Sequence, residues 1–573
     1  MPGSSFRARL EWSKRFPNGT FILVAPDKNI LQMGDAEGIT YMIKRREQFT
    51  KWVEVYYVLR IFGENVVTTE AAEWRFHRKI MAASFNERNT ALVFREAISQ
   101  TRSMLNHWTD GTGVRKESIR RLDLDTMRVA LNIIGYVGFG LRLLWPGQKV
   151  SPDTDLKLAK YGSLEAPPGY HRSFADAMSL LLENLLPILI LPAWALRKFP
   201  RTHCHEVLTV RCLLTRCIGL IPARWAKLAY EAQDDYVKYT NELLDVKLDE
   251  ARYGDHAEEG MDLMGQMART SIQATEKDAV LTRDEIIGNA FIMKLAGHET
   301  TANTLNFTFI YLAMNPSAQR RLQEDVDAIL GDSDPSTWDY DTLVNPMMAS
   351  MLAACMHETM RLLPSVAEVP KMTRKDETLV FGGREYVVPK GTAINLAVMT
   401  ASQTEEYWPT RPSKVTPGKS DILDYVPERW FQSKKLESQG DDQDEEEEDF
   451  GGFQGPDTSA KLYQPPRGAF IPFSDGPRAC LGRRIAQVEV IAAMAVIFQK
   501  YSFELAVDEW ASDEEVEKMD KTQKEEVYGK AKEKALEAIG KCQTRITIKL
   551  AKGTEVPVRL VRRGEERFVK WME

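Results

Sequence analysis

The sequence predicts a mostly α-helical protein with a small β-rich lobe. Helical periodicity dominates from about Asp35 to Leu363, and one helix candidate opening at Thr282 runs past thirty residues. Strand-like stretches cluster before Met33 and again after Pro364.

Taken in order, Thr20 to Met33 (TFILVAPDKNILQM) reads as two strands around a Pro-Asp-Lys-Asn turn. Thr282-Arg-Asp-Glu285 is a capping box, and the helix it opens reaches Met314, just before Asn315-Pro316. At about 1.5 Å per residue this helix is about 50 Å long, and few soluble folds need one of that length through their centre. Thr378 to Phe381 and Glu385 to Val388 flank Gly382-Gly383, a hairpin signal. The chain is irregular from Leu396. Ser433 to Ala460 is polar and acidic and predicts a disordered surface loop. A helix-like run spans Arg483 to Lys500. Ser512 to Gly540 is highly charged with a capping box at Ser512 and Glu515, predicting a solvent-exposed helical insert over about 512–541. Arg545 to Leu550 and Val556 to Val561 predict a terminal hairpin around Lys552-Gly553. There is no internal repeat.

The 573 residues, 43% hydrophobic and 27% charged, suffice for a large core, and length alone suggests about three or four domains. The net charge of −7 is local: Asp441 to Asp449 (DDQDEEEED) carries eight acids, and −7 + 8 = +1 remains without it. No basic field for nucleic acid exists. Six cysteines without a CxxC pair suggest a reducing compartment, and the spacing of Cys204, Cys212 and Cys217 matches no zinc pattern. The longest apolar stretch, Leu185 to Leu196, is too short to span a membrane and is broken by Pro187 and Pro192. No signal peptide or spanning helix is read at the N-terminus.

The segment that decides the chemistry is Phe473-Ser-Asp-Gly476-Pro-Arg478-Ala-Cys480-Leu-Gly482. It sets one cysteine in a glycine-bracketed loop directly before a helix, where the dipole and terminal amides stabilise a thiolate suited to metal ligation. Gly476 and Gly482 let the backbone turn sharply and lie flat against a large partner. Arg478 supplies a cation for an acidic group. Taken alone, the loop also reads as an ordinary buried thiol in a turn. Within the long helix, Ala296-Gly297-His298-Glu299-Thr300-Thr301 places an acid beside a hydroxyl after a glycine, and Thr can bond back to a carbonyl one turn earlier and bend the helix. A polar face meeting solvent is the alternative. Glu358-Thr-Met-Arg361 sets opposite charges three apart on a helix, and Pro427-Glu428-Arg429-Trp430 lies some sixty residues on. Trp74-Arg-Phe-His-Arg78 puts an aromatic and a cation on one helical face, which also fits a basic amphipathic helix.

Together these motifs resemble the cytochrome P-450 family of heme-thiolate monooxygenases, whose proximal loop reads Phe-x-x-Gly-x-Arg-x-Cys-x-Gly. The likeness covers roughly Arg7 to Arg562, with the signatures in the family's order, and implies one domain over 1–573 with heme b between the long central helix and the Cys480 loop. Cys480 would be the axial thiolate on iron, a donation that favours O–O cleavage. Glu299 and Thr300 would match the acid–alcohol pair that supplies protons while dioxygen is activated. Trp74, Arg78 and Arg478 would hold heme propionates, with the bidentate geometry of Arg suited to carboxylates. Lys371 stands where the family more often has Arg or His. Ala296, Phe473 and Gly482 would line the heme, Phe473 shielding the thiolate from water. Glu358, Arg361 and Arg429 would form a buried network of structural role. Phe291 and Ser365 to Glu368 fall at pocket positions. Glu368 reads either as a contact for a substrate amine or as an outward-facing surface acid. His298, at a variable position, reads as a packing or hydrogen-bonding residue.

The implied reaction inserts one atom of O2 into a lipophilic substrate. Its electrons come from NADPH through a separate flavoprotein reductase, because no flavin or nicotinamide motif occurs here. The implied location is the cytoplasmic face of the endoplasmic reticulum membrane, as in the microsomal members of filamentous fungi, where lipophilic secondary metabolites, fatty acids and xenobiotics are common substrates. The sequence departs from the microsomal pattern in starting almost at the first sheet, without the usual anchor helix and proline-rich hinge, so solubility and truncation are also expectations. Thr202 to Ile221 falls at a short, variable connection between two lid helices and reads either as an insertion or as an untrimmed intron. Leu185 to Leu196 nearby reads as a peripheral membrane contact or as ordinary packing. The acidic run reads as a solvated loop that does not dock the reductase. A heme-thiolate isomerase or dehydratase, a non-catalytic heme protein and a truncated fragment stay open as alternatives.

Overall fold

In a computed structural model, the structure describes residues 15–16, 19–24, 26, 28–114, 117–149, 156–183, 223–254, 261–273, 280–432, 459, 461–544 and 546–568. Strands β1 (Phe21–Val24) and β2 (Asn29–Met33) pair antiparallel around the expected turn and lead into helix α1 (Ala36–Lys44). Asp35 caps α1 by accepting the Gly38 N–H at 2.8 Å, and Ile39, Met42 and Ile43 form its buried stripe. Then follow β3 (Phe49–Lys51), α2 (Ala71–Ala82), α3 (Glu87–Thr109), α4 (Leu122–Phe139), α5 (Leu156–Gly162), α6 (Phe174–Glu183), α7 (Ala223–Tyr253) and α8 (Leu263–Gln273). The long helix is α9 (Arg283–Met314), 32 residues without a break, opened by the expected box: Thr282 N–H donates to Glu285 Oε2 at 2.7 Å. Helices α10 (Pro316–Leu330), α11 (Tyr340–Met348) and α12 (Met351–Leu362) complete the helical stretch.

Beyond it lie β4 (Val369–Thr373), β5 (Glu377–Phe381), β6 (Arg384–Val388), β7 (Ala393–Leu396), α13 (Val398–Ala401), α14 (Arg483–Phe498), β8 (Tyr501–Leu505), α15 (Asp513–Lys518), α16 (Lys521–Gly540), β9 (Gln543–Thr544), β10 (Ile548–Lys549) and β11 (Val558–Arg562). The β5–β6 hairpin forms as read: Phe381 pairs with Arg384, and Gly382 (φ 57°) and Gly383 (φ 68°) supply the positive dihedrals of a two-residue turn. This makes the protein mostly α with small sheets.

The described chain divides into two compact units. The first comprises residues 1–52, 85–133 and 297–573. It holds a five-stranded sheet in the order β1-β2-β7-β4-β3, parallel only between β2 and β7. Met33, Ile39, Phe49, Ile394, Leu396 and Ile471 are core residues between this sheet and α1. In the same unit α14 packs along α3, and 13 of its 16 residues are buried. The second unit comprises residues 53–84 and 134–296, with α7 packed on α6 and α8, and α8 on α2. No helix among the described residues is long and apolar enough to cross a membrane.

Two expectations are corrected. The terminal hairpin does not form: β10 pairs with β9, and β11 pairs with β8 in register Val558↔Leu505 to Arg562↔Tyr501. The turn at Gly553 (φ 82°) exists, with Thr554 N–H donating to Ala551 O at 2.9 Å, but its flanks find partners elsewhere. The 512–541 insert is helical with the expected capping box, yet it is not a wholly solvated element. Val527, Tyr528, Ala531, Ala535, Ala538 and Ile539 lie on one buried stripe of α16. Tyr528 Oη donates to Ala313 O at 2.6 Å at the end of α9 and accepts the Leu505 N–H at 3.1 Å. The readings of Leu185 to Leu196, of Thr202 to Ile221 and, Ser459 apart, of Ser433 to Ala460 fall outside the described residues.

Candidate functional site

Cys480 stands exposed at the end of a loop that feeds directly into α14. Its N–H donates to Phe473 O at 2.9 Å, so Phe473 closes the loop through its backbone, a role its side chain did not announce. The reversal rests on Ser474 (φ 60°) and Gly476 (φ 66°). A Cβ on Gly476 would come within 2.8 Å of Ile43 Cγ2, so glycine is needed there both for its dihedral and for space. Asp475 accepts the Gly476 N–H at 2.6 Å and pairs with Arg467 Nε at 2.8 Å, fixing the turn from outside. Arg478 ends this short 3₁₀ turn, half-buried. Gly482 caps α14, and a Cβ there would meet only ordinary contacts, 3.7 Å to Phe85 Cε1 and 4.0 Å to Cys480 Sγ. Of the six cysteines, the other two described, Cys355 and Cys542, are buried.

The same unit contains the C-terminal part of α9. Glu299 is buried and its Oε1 pairs with Lys549 Nζ of β10 at 3.1 Å, a partner 250 residues away. Thr301 Oγ1 bonds back to Gly297 O at 3.2 Å, Thr304 Oγ1 to Thr300 O at 3.0 Å and Thr308 Oγ1 to Thr304 O at 2.7 Å. The back-bonding expected of a Thr in this helix is therefore found at three residues. Ser365 Oγ also donates to Thr300 O at 3.0 Å and bonds Thr304 Oγ1 at 3.1 Å, so it ties its segment to the helix at the Thr300 turn. Glu368 accepts from Asn395 Nδ2 of β7 at 3.0 Å. Lys371, on β4, is buried and donates to Phe49 O at 3.4 Å.

The network of Glu358, Arg361 and Arg429 forms, and all three side chains are fully buried. Arg361 donates to both Glu358 oxygens at 2.8 Å, and Arg429 Nε donates to Oε1 at 3.0 Å. Two members escaped the sequence reading. Trp430 Nε1 donates to Glu358 Oε2 at 3.0 Å, and Asp421 receives Arg429 through its carbonyl at 2.7 Å and its Oδ1 at 3.4 Å. Burial pushes the Glu358 carboxyl up, but Arg361 and Arg429 outweigh it and hold the group below the usual carboxylate value. Trp430 adjoins Arg429 in sequence and was open to inference. Asp421 carried no local signal.

Trp74, Arg78 and Ala296 belong to the other unit. Trp74 and Arg78 are buried on α2, with the guanidinium 5.8 Å from the indole centroid. The neighbouring His77 is fully buried, and its Nδ1 lies 2.9 Å from Asn289 Nδ2 of α9. Phe291 meets Phe62 and Tyr236 edge-on. Sequence reading missed Lys294, two residues before Ala296. Its ammonium is fully buried beneath Phe139, Phe174 and Tyr236 at 4.5–5.5 Å, and burial draws its pKa down to about 7.

The comparisons with known proteins agree with one another. The sequence profile described as "Cytochrome P450" matches residues 21–527. The chain is 29% identical over 479 residues to "Cytochrome P450 monooxygenase 124" of Postia placenta, covering 82% of this chain and 75% of that one. It is 27% identical over 506 residues to "Cytochrome P450 monooxygenase ORF6" of Penicillium roqueforti, covering 84% and 75%. Among solved structures, a cytochrome P450DA heme domain superposes with a TM-score of 0.63 at 19% identity, covering 96% of this chain and 92% of that one.

Proposed function

Because this chain belongs to the cytochrome P450 family, whose members are oxidoreductases that incorporate molecular oxygen, we propose that it inserts one atom of O2 into a C–H or C=C bond of a lipophilic substrate. Its two electrons come from NADPH through a separate flavoprotein reductase. Heme b, bound through a cysteine thiolate as the family and fold imply, supplies the chemistry of dioxygen activation. The chain's own residues fit that group. Cys480 presents an exposed thiol before the first turn of α14, and Gly482 beside it is glycine although the protein's own packing leaves room for a Cβ. That is what a backbone lying flat against a macrocycle requires.

In this reading Cys480 is the ligand, and Gly476 and Phe473 hold its loop in shape. Arg478, Trp74, Arg78 and Lys371 take the propionates, and Ala296 contacts the ring. Glu299 collects protons and passes them on through the Thr300 hydroxyl. Glu358, Arg361 and Arg429 keep the surrounding fold rigid enough for heme to load. The two compact units serve as lobes of one enzyme domain, in line with a family match that runs through both. A membrane-associated site on the cytoplasmic face of the endoplasmic reticulum suits lipophilic substrates such as fatty acids or secondary metabolites.

The observation that carries the proposal is the exposed Cys480 thiol at the entrance to α14. The test is the reduced, carbon-monoxide difference spectrum of the purified protein beside a Cys480→Ser variant. A strongly red-shifted Soret band lost in the variant is expected. A band unchanged in the variant, or one at the wavelength of histidine-ligated heme in the wild type, would overturn it. Reductase-dependent NADPH consumption then separates a monooxygenase from an isomerase or dehydratase, which needs no external electrons.

A further inference from the structure

We propose that Lys549 is a positioning residue for Glu299, holding its carboxylate in place so that it can pass protons on toward Thr300. The inference rests on the reading of Glu299 as the proton relay. Glu299 is only 7% exposed, and a buried polar group needs a partner that satisfies it. Lys549 supplies that partner at 3.1 Å, and its own side chain is 28% exposed. The pair thus links a buried acid in mid-helix to solvent.

The lysine is not held by the ion pair alone. The three residues Thr547, Ile548 and Lys549 all engage the same region. Asn303 Nδ2 donates to Thr547 Oγ1 at 3.1 Å, and Ile548 N–H donates to Ser365 O at 2.9 Å. Ser365 in turn bonds the Thr300 carbonyl. Antiparallel pairing of β10 with β9 sets the strand register that presents Lys549 to Glu299. Strand alternation sends Ile548 inward, where it is fully buried, and leaves Lys549 partly in solvent. The ammonium therefore approaches Glu299 from a defined direction, and loss of the charge frees the carboxylate to turn toward water.

Because no substrate need be known, the test uses substrate-free turnover of the heme-loaded enzyme with NADPH and purified flavoprotein reductase. Dioxygen that takes two electrons and two protons leaves as hydrogen peroxide, and dioxygen that takes four of each leaves as two waters. Impaired proton supply is expected to raise the peroxide released per NADPH consumed. Lys549→Met is expected to raise that ratio at least twofold with the carbon-monoxide spectrum intact, and Lys549→Arg to restore it. Glu299→Gln is expected to raise it at least as much, and the double variant no further. A readout independent of turnover is the urea midpoint, which Lys549→Met should lower with Glu299 present and leave unmoved in a Glu299→Gln background. If Glu299→Gln uncouples and Lys549→Met does not, the role of Lys549 falls and the relay stands. If Glu299→Gln leaves the ratio unchanged, both fall. If Lys549→Arg fails to restore the ratio, charge is not what Lys549 supplies and the inference is overturned.

Discussion

Arg429→Met tests how much of this fold hangs on one buried charge cluster. The buried guanidinium donates to Glu358 Oε1 at 3.0 Å and Asp421 O at 2.7 Å in the interior, and to the part-buried Pro409 O at 2.7 Å. Methionine fills part of the volume and satisfies none of the three acceptors. Breaking a buried ion pair by removing one partner costs about 3–5 kcal/mol. An orphaned buried carbonyl adds about 1–3 kcal/mol. Glu358 keeps Arg361, the Trp430 N–H and the Val426 N–H, and neighbouring losses overlap rather than add. We therefore expect about 5 kcal/mol, against a typical total of about 5–15 kcal/mol for a whole domain. The assay is urea unfolding followed by far-ultraviolet circular dichroism, with heme occupancy read on the same samples. Arg429→Lys should recover less than half, because one ammonium on a flexible stem cannot reproduce a planar fork that reaches several acceptors at once. In a Glu358→Gln background the same change should cost markedly less. A loss under about 1 kcal/mol for Arg429→Met, or full recovery by lysine, would refute the reasoning that desolvated, directional charge holds this region.

Two further outcomes are expected. Lys294→Met should stabilise the protein at pH 6: burial lowers the ammonium from 10.5 to about 7, and at about 1.4 kcal/mol per pH unit the charged form costs up to about 5 kcal/mol, less whatever the surrounding rings return. Because a depressed lysine pKa penalises the fold most below the folded value, wild-type stability should rise from pH 7 toward 10 and the variant should lack that rise, so parallel pH profiles would count against it. Tyr528→Phe removes the donor to Ala313 O and the acceptor for Leu505 N–H, costing about 1–3 kcal/mol, and an unmoved urea midpoint would show that α16 is not a working part of the core.

What the sequence made legible was what short stretches encode. The Cys480 loop, the Thr282 capping box and the Gly382-Gly383 turn each state their geometry within ten residues, and each stands where it was expected. Pairings set by the whole fold were hidden. Strand β11 chooses β8 although a turn signal at Gly553 invites it to pair locally. The local turn contributes little beside a five-residue ladder whose Val558, Leu560, Phe503 and Leu505 side chains are buried. The charge run of α16 concealed its stripe because Lys and Glu fill most of the positions between the buried residues. Asp421 and Lys549 were invisible for a different reason: a lone acid or lysine announces nothing until the partner it meets is located in space.

That hidden layer converges on one helix. Tyr528 reaches the carbonyl of Ala313 near the end of α9, and Lys549 reaches Glu299 fourteen residues earlier, about 21 Å along the axis. The intervening turns carry Asn303 bonded to Thr547, and Thr304 and Thr308 bonded back to the helix and across to Ser365 and Thr359. A helix rich in side chains that bond back to its own carbonyls is inclined to bend, so its course depends on what braces it from outside. Here the braces are the element read as a surface insert and the short strand that follows it. The charged segment at 512–541 thus braces the end of α9 through Tyr528, and Thr547 and Lys549 brace it nearer Glu299, all of them residues that no motif contains.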